Sequence, residues 1–320
     1  MNSLATDHVN RIHAALDTSE AARSALVASW RRSSSLHQLD PAERNSPRRV
    51  TDGELRIARQ GLERLIYAAQ PSLDRLYLAI GGVGCCVVLA DRNGVSVDRR
   101  GAVHDDDTFR ELGLWTGSVW SEESEGTNGI GTCLVEQRAV SIHRNQHFFA
   151  RNTALSCVSA PIYDHEGNLA AALDISSCTA DVTENFINLI GLAVRETARR
   201  IEADNFRLAF PAARIQLSPA AEAHPGALVA IDADDMIVGA TRQARLAHGI
   251  SDGALERRQL VADMLGSEPP AEDLSEAERA ALHRALARCD GNVSAAAQML
   301  GISRATLYRK LARYQIRYRP

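Results

Sequence analysis

"GNVSAAAQMLGISRATLYRKLARY", residues 291–314, reads as two short helices around a glycine turn. Ala297 and Gly301 lie four apart, with Ala296, Leu300, Ile302 and Leu307 apolar around them. A small alanine lets two helices cross closely, and a glycine takes the positive φ of a tight turn. Ser303 fits as N-cap of the following helix, with Ile302 and Leu307 spaced as a hydrophobic staple. Leu307 and Leu311 then face a core. Upstream, a helix is predicted from about Ser275 to Cys289, with Ser275 and Glu278 spaced as a capping box. Its inner face would be Ala281, Leu282, Ala285 and Leu286, and Asn292 would cap the helix that follows.

That packing leaves one face of the last helix outward. Ser303, Arg304, Ala305, Thr306, Tyr308, Arg309, Lys310 and Arg313 are therefore the candidate DNA-contacting residues. Arginine grips guanine through two hydrogen bonds, while threonine, tyrosine and lysine suit phosphates. Charge agrees with this reading. From Leu274 to Pro320 nine basic residues stand against three acidic ones, and the remainder of the chain holds 27 basic and 37 acidic residues. An acidic body that repels DNA and a basic end that grips it reconcile a net charge of −4 with nucleic-acid binding. The plainer alternative is a three-helix tail with a solvated basic face.

The details of this module resemble the Fis-type helix-turn-helix. The resemblance implies a homodimer on double-stranded DNA, at a near-palindromic operator with half-sites roughly 10 base pairs apart.

Outside the module, an apolar fraction of 45% and a charged fraction of 24% are those of an ordinary globular protein. The longest apolar stretch, "LYLAIGGVGCCVVLA" from Leu76 to Ala90, is too short to span a bilayer, and no membrane association is expected. "MNSLATDHVNRIHAALD" lacks the apolar run of a signal peptide, and six cysteines without one read as reduced thiols. A cytoplasmic location is expected.

The chain divides into five stretches. Residues 1–70 read as a helical region interrupted by Pro41 and Pro47. Residues 71–205 read as mixed helix and strand. "CCVVLADRNGVSVDRRG" (85–101) and "CVSAPIYDHEGNLAAALDISS" (157–177) each predict a hairpin. "ENFINLIGLAVRETARRIEADNFRLAF" (184–210) predicts one long amphipathic helix, with Phe186, Leu189, Ile190, Ala193, Val194 and Ile201 on its apolar face. That helix either packs on the sheet or pairs with a second copy. Residues 222–264 hold a small strand-turn-strand-helix unit, 265–273 a proline-containing linker, and 274–320 the helical module. The fold class is α+β.

"SEESEGTNGIGT" (121–132) gathers carboxylates among glycines. Glycines let backbone approach a ligand, and carboxylates accept hydrogen bonds from a hydroxylated or cationic molecule. The same pattern fits a structural turn whose acids face water. Trp115 and Trp120 either line an apolar pocket or pack in a core. The effector-binding candidates are Trp115, Trp120, Glu122, Glu125, Asn128 and His147. Cys85, Cys86, Cys133, Cys157 and Cys178 with His143 and His147 invite a metal or redox reading. However, the His143–His147 spacing suits zinc only on a helix, and "AVSIHRNQHFF" begins strand-like. No metal ligand and no cofactor is assigned. Neither a G-x-S-x-G elbow nor a dinucleotide fingerprint is present, so no enzyme activity is expected.

"SWRRS" (29–33), "LDP" (39–41), "WSEESEGTNGIGTCL" (120–134) and "VSAPIYDHEGNLAAALDISS" (158–177) resemble the N-terminal half of acetoin-catabolism-type (AcoR-like) regulators. The resemblance implies a GAF-like α/β sensor domain followed by a small PAS-like segment, with the all-α helix-turn-helix at the C-terminal end. The departure is the sigma-54-interacting ATPase of that family. The sequence has one lysine, Lys310, and neither a P-loop nor a "GAFTGA" loop. The expected function is a sequence-specific, small-molecule-responsive transcriptional regulator that is not an ATP-driven activator. The alternatives are an architectural Fis-like binder whose GAF-like domain only dimerises, and a metal- or redox-sensing regulator.

Overall fold

Cys85–Asp91 (β1) is buried along its whole length because both of its faces are covered. Cys85, Val87 and Leu89 enter one apolar cluster, and Cys86, Val88 and Ala90 enter another. This alternation with a period of two is what a strand must show, and cover on both sides explains why the run reads as continuously apolar.

The protein is described here by a computed structural model covering residues 3–17, 24–80, 84–179, 184–233, 236–256, 274–289 and 291–316. It forms two compact units, Met1–Val261 and Ala262–Pro320.

The larger unit begins with α1 (Ser3–Leu16) and α2 (Ala25–Arg31), which runs into a π turn over Arg32–Leu36. α3 (Asp52–Gly61) opens with a Thr51–Glu54 capping box, and α4 (Glu63–Ile80) follows. α4 crosses position 70, so the edge of the helical region expected there falls inside a helix. β2 (Ser96–Arg100) completes the first hairpin. Three short helices come next, α5 (Asp106–Glu111), α6 (Glu122–Glu125) and α7 (Gly129–Glu136). β3 (Val140–His143), β4 (Ser156–Tyr163) and β5 (Leu169–Ser177) complete an antiparallel sheet of order β2-β1-β5-β4-β3. Both predicted hairpins form, β1-β2 and β4-β5, and β5 joins them by pairing with β1 as well as β4.

α8 (Glu184–Ala209) lies beside α4 on one face of this sheet. Ile187, Ile190, Val194, Ala198 and Ile201 of α8 are buried there. Leu189, expected on the buried face, points outward with Leu192, at 62% and 58% exposure. A 26-residue helix that packs on a sheet by one side buries one stripe there, and Leu189 lies one position off it. The opposite face carries Phe109, Leu114, Trp120, Ile130 and Cys133.

A second antiparallel sheet, β6-β7-β8, is built from Arg214–Leu217, Leu228–Ile231 and Ile237–Ala240. α9 (Arg242–His248) and α10 (Asp252–Glu256) follow, and Phe206 of α8 packs into this small core. β6 precedes residue 222, so the small unit starts earlier than its strand-turn-strand pattern indicates. The linker expected at 265–273 lies outside the described residues. The smaller unit holds α11 (Leu274–Arg288), α12 (Val293–Met299) and α13 (Arg304–Arg313). The class is α+β, and among the described residues no helix is long and apolar enough to cross a membrane.

Candidate functional site

The three C-terminal helices close on a core of their own, formed by Leu282, Leu286, Ala296, Ala297, Leu307 and Leu311 with Ile316 beyond. Asn292 caps α12, its side-chain oxygen accepting from Ala295 N at 3.0 Å. Gly301 turns the chain at φ +64, which lets Ile302 N donate to Ala297 O at 3.0 Å. Ser303 then caps α13 by accepting from Thr306 N at 3.1 Å, and its hydroxyl lies 2.9 Å from that of Thr306. Ile302 packs against the cluster that holds Leu307, as a staple requires.

On the far side of α13, Arg304, Ala305, Tyr308, Arg309, Ala312 and Arg313 are exposed. They form two rows at a spacing of four, 304/308/312 and 305/309/313, which is one continuous helix face. Lys310 is a departure from the sequence reading. It is ion-paired to Glu278 of α11, and Glu278 also accepts from the Tyr314 hydroxyl. These two partners, Lys310 first, hold the Glu278 carboxyl below its usual range. Glu278 therefore joins α11 to α13, and α11 begins at Leu274, with Ser275 inside the helix rather than at its cap.

In the larger unit, the acidic loop is neither water-facing nor open to a ligand at its first and third carboxylates. Glu122 and Glu125 are each 2% exposed, while Glu123 is exposed. Arg32 Nε donates to Glu122 Oε1 at 2.5 Å, and Ser29 Oγ donates to Oε2 at 2.9 Å. Arg151 meets Glu125 at 2.6 Å, yet burial still pushes that carboxyl up to about 7. Asn128 caps α7, accepting from Gly131 N and donating to Gly126 O, both at 2.8 Å. The glycines serve close packing. A Cβ on Gly129 would sit 2.7 Å from Asp174, Cys157 and Ser159 atoms.

Trp120 is core, and its Nε1 donates to Gly113 O at 2.9 Å. Trp115 is half-exposed between the guanidinium groups of Arg99 and Arg110, at 4.4 and 4.2 Å from its ring. His147 is fully buried, and burial lowers it to about 4, so the ring is neutral. Its Nδ1 donates to Arg144 O at 2.9 Å, leaving Nε2 as an acceptor 3.4 Å from Cys157 Sγ. The structure thus gathers Glu122, Glu125 and Asn128 at one loop. A cleft of about 520 Å³ opens beside that loop, with His37, Arg48, Arg92, Glu122 and Glu123 among its lining.

Sequence reasoning missed the partners of these acids. Ser29, Arg32 and Arg151 come from elements that no spacing rule connects to the loop. It also missed Asp174, fully buried on β5, which accepts from Ser159 at 2.5 Å and Ser176 at 2.6 Å and is pushed up to about 6 by burial. The available signal was an aspartate in the middle of the apolar run "AAALDISS". Cys86, Cys133 and Cys157 surround this region as buried thiols, each pushed far above its usual range by burial. Such thiols stay protonated and are poor nucleophiles. Among the described residues, no group of three or more His, Cys, Asp or Glu is placed to hold a metal ion.

Comparison with known proteins gives matches for both units. The family model "Bacterial regulatory protein, Fis family" matches residues 273–314, and "MimR, N-terminal domain" matches residues 10–198. The chain is 34% identical over 222 residues to the acetoin catabolism regulatory protein of Cupriavidus necator, covering 68% of this chain and 33% of that protein. It is 31% identical over 144 residues to the propane 2-monooxygenase operon transcriptional activator MimR of Mycolicibacterium smegmatis, covering 45% of this chain and 23% of that protein. The chain therefore spans a third or less of the length of these relatives. The solved E. coli DhaR(N)-DhaL complex shares the fold at a TM-score of 0.52 and 14% identity, over 75% of this chain and 80% of that one. The resemblance to acetoin-type regulators read from the sequence holds. The chain belongs to the family of the MimR N-terminal domain and carries a Fis-family helix-turn-helix behind it.

Proposed function

We propose that the protein is a small-molecule-responsive transcriptional regulator that binds operator DNA through α13. The observation that carries this is the face of α13. Arg304, Tyr308, Arg309 and Arg313 stand exposed on a capped, staple-anchored helix whose opposite side is a closed core. A helix presented in this way enters a major groove by its N-terminal end, with arginines reaching base edges.

Residues 71–205 act as the GAF-like sensor, 222–264 as a small PAS-like segment and 265–273 as a linker to the DNA reader. The effector is taken up in the cleft beside the 121–132 loop, which Glu122 helps to line, while Glu125, Asn128, Trp120 and His147 are buried and, like Trp115, lie outside that lining. The protein works in the cytoplasm as a homodimer on a near-palindromic site. The outward Leu189 and Leu192 of α8 support a seam between two copies, because an apolar strip on a long helix is stabilised by a second such helix. No P-loop lies within these residues, so the action is by binding rather than by ATP-driven remodelling.

The test is selection of genomic fragments by the purified full chain, followed by affinity measured against salt. Expected is saturable binding to a recurring near-palindrome, with affinity falling steeply as salt rises, and its loss on truncation at residue 265. Binding retained by the truncated chain overturns the reading.

A further inference from the structure

Gln137–Ala139, β4, α8 and α9 meet around a cleft of about 290 Å³ that none of the motifs predicted. Its lining includes Arg138, Arg195, Arg199 and Arg242, against one carboxylate, Glu202. Two of the four guanidinium groups are only loosely paired, Arg138 with Glu136 and Arg199 with Glu196, both at 3.6 Å. Arg195 and Arg242 have no salt bridge among the described residues, and Arg242 lies over the Tyr163 ring at 4.3 Å.

We propose that this cleft is a binding site for a small doubly charged oxyanion, a phosphate or sulfate group or a dicarboxylate. The proposal deepens the reading of the larger unit as a ligand-responsive sensor and rests on it.

Three features carry the proposal. Four like charges around one small cleft repel one another, and a dianion seated among them relieves that repulsion while accepting hydrogen bonds from several guanidinium forks. The volume suits a small metabolite. It is far too small for a duplex, so DNA is not the occupant. The walls also come from both halves of the unit, since Tyr163 and Arg195 belong to the five-stranded domain and Arg242 opens α9 behind the second sheet. An anion held by Arg195 and Arg242 therefore ties α9 to α8 and stiffens the route by which α8 leaves the sensor.

Glu202 sets the strength. Its carboxylate accepts from Tyr163 N at 2.9 Å, and burial pushes it up to about 7, with Arg199 and Arg242 opposing that rise. Near neutrality the group is partly protonated, which leaves the cleft with an excess of positive charge. The charged and titratable groups facing Glu202 are Arg199 on its own helix, Arg195 one turn before, Arg138, Tyr163 and Arg242.

The experiment is titration calorimetry on the full chain without DNA, using sulfate, inorganic phosphate and malonate in parallel at matched ionic strength, with chloride as the control. Expected is one saturable site per chain for at least one dianion. Preference between the sulfate or phosphate arms and the malonate arm identifies the class. Arg195→Ala and Arg242→Ala should each weaken binding about tenfold, the loss of one charge-assisted contact. Glu202→Gln should tighten binding severalfold, a gain that a misfolded variant cannot produce. For sulfate, which stays dianionic, affinity should fall as pH rises through 7 and become flat in Glu202→Gln. Absence of saturable binding in every arm overturns the proposal, as does binding indifferent to all three substitutions. Because no DNA is present, failure here leaves the α13 reading untouched. Failure of operator binding with the dianion still bound would sink only that other reading.

Discussion

Arg32 and Glu122, 90 positions apart, form a largely buried ion pair in which Arg32 Nε stands 2.5 Å from Glu122 Oε1. A second nitrogen of Arg32 reaches Glu136 at 2.9 Å, so one side chain from the helical N-terminal region joins α6 to α7. Two motifs that read as separate in the sequence, "SWRRS" and "WSEESEGTNGIGTCL", therefore form one joint. Trp30 adds to it from the same turn, donating from Nε1 to Gln146 O at 2.9 Å.

Removing one partner of such a pair leaves a buried charge without compensation, which costs about 3–5 kcal/mol. Arg32→Ala should lower unfolding stability by about 3 kcal/mol, and Glu122→Gln by less, since the one carbonyl oxygen of Gln still accepts from Arg32, which keeps Glu136 as a counter-ion. Urea unfolding of the full chain checks this. A loss below about 1 kcal/mol for Arg32→Ala would mean that the pair is not buried as described.

Asp174 gives a stability dependence on pH with a definite sign. Its ordinary value is 3.8 and burial raises it to about 6 in the folded chain, so the folded state holds its proton more tightly than the unfolded state does. The stabilisation is complete below pH 3.8 and is lost as pH rises through 6. Asp174→Asn removes that term while keeping an acceptor for Ser159 or Ser176. The wild type should lose up to about 3 kcal/mol relative to the variant between pH 4 and pH 7, at about 1.36 kcal/mol per pKa unit. His147 works in the opposite direction, losing stability as pH falls from 6.5 towards 4, but it is common to both proteins and cancels. Thermal melts of both proteins across that range measure the difference.

The helix-turn-helix was almost wholly legible because its determinants are local. Asn292, Gly301, Ser303 and the Ile302–Leu307 pair act within a few residues of one another, and each is where its chemistry demands. The two hairpins were legible for the same reason. Glu278 was not, because its bond to Lys310 spans 32 positions, beyond the reach of any local spacing rule. The acidic loop was misjudged for the same cause. Glu122 and Glu125 look solvated until Arg32 and Arg151 arrive from either side of the fold, and arginine partners at such distances leave no periodicity to read. Asp174 sits where a strand pattern calls for an apolar residue, a local conflict that could have been flagged as a buried polar centre.

Ser303 tests whether the α13 cap is energetically real. Ser303→Ala should cost about 1 kcal/mol and speed exchange of the Thr306 amide about fivefold, while Ser303→Asp should keep both near the parent. Amide hydrogen exchange followed by NMR separates the two. Equal exchange in the parent and Ser303→Ala would show that the cap contributes nothing.

Two of the three exposed arginines of α13, Arg304 and Arg309, and its engaged lysine should behave differently on DNA. If α13 reads DNA as proposed, Arg304→Ala and Arg309→Ala each remove a side chain that meets a base edge, so each should lower operator affinity about tenfold or more while affecting unrelated DNA less. Lys310 is already paired with Glu278, and its replacement by alanine should leave the salt dependence of binding close to that of the parent. Glu278→Gln frees that lysine. If Lys310 can then swing to a phosphate, the slope of log affinity against log salt should steepen by about one. Filter binding of the four variants at several salt concentrations decides among these outcomes. A Lys310→Ala variant that loses about one unit of slope would mean that the lysine leaves Glu278 for the phosphate backbone when DNA arrives, and that the clasp between α11 and α13 opens on binding.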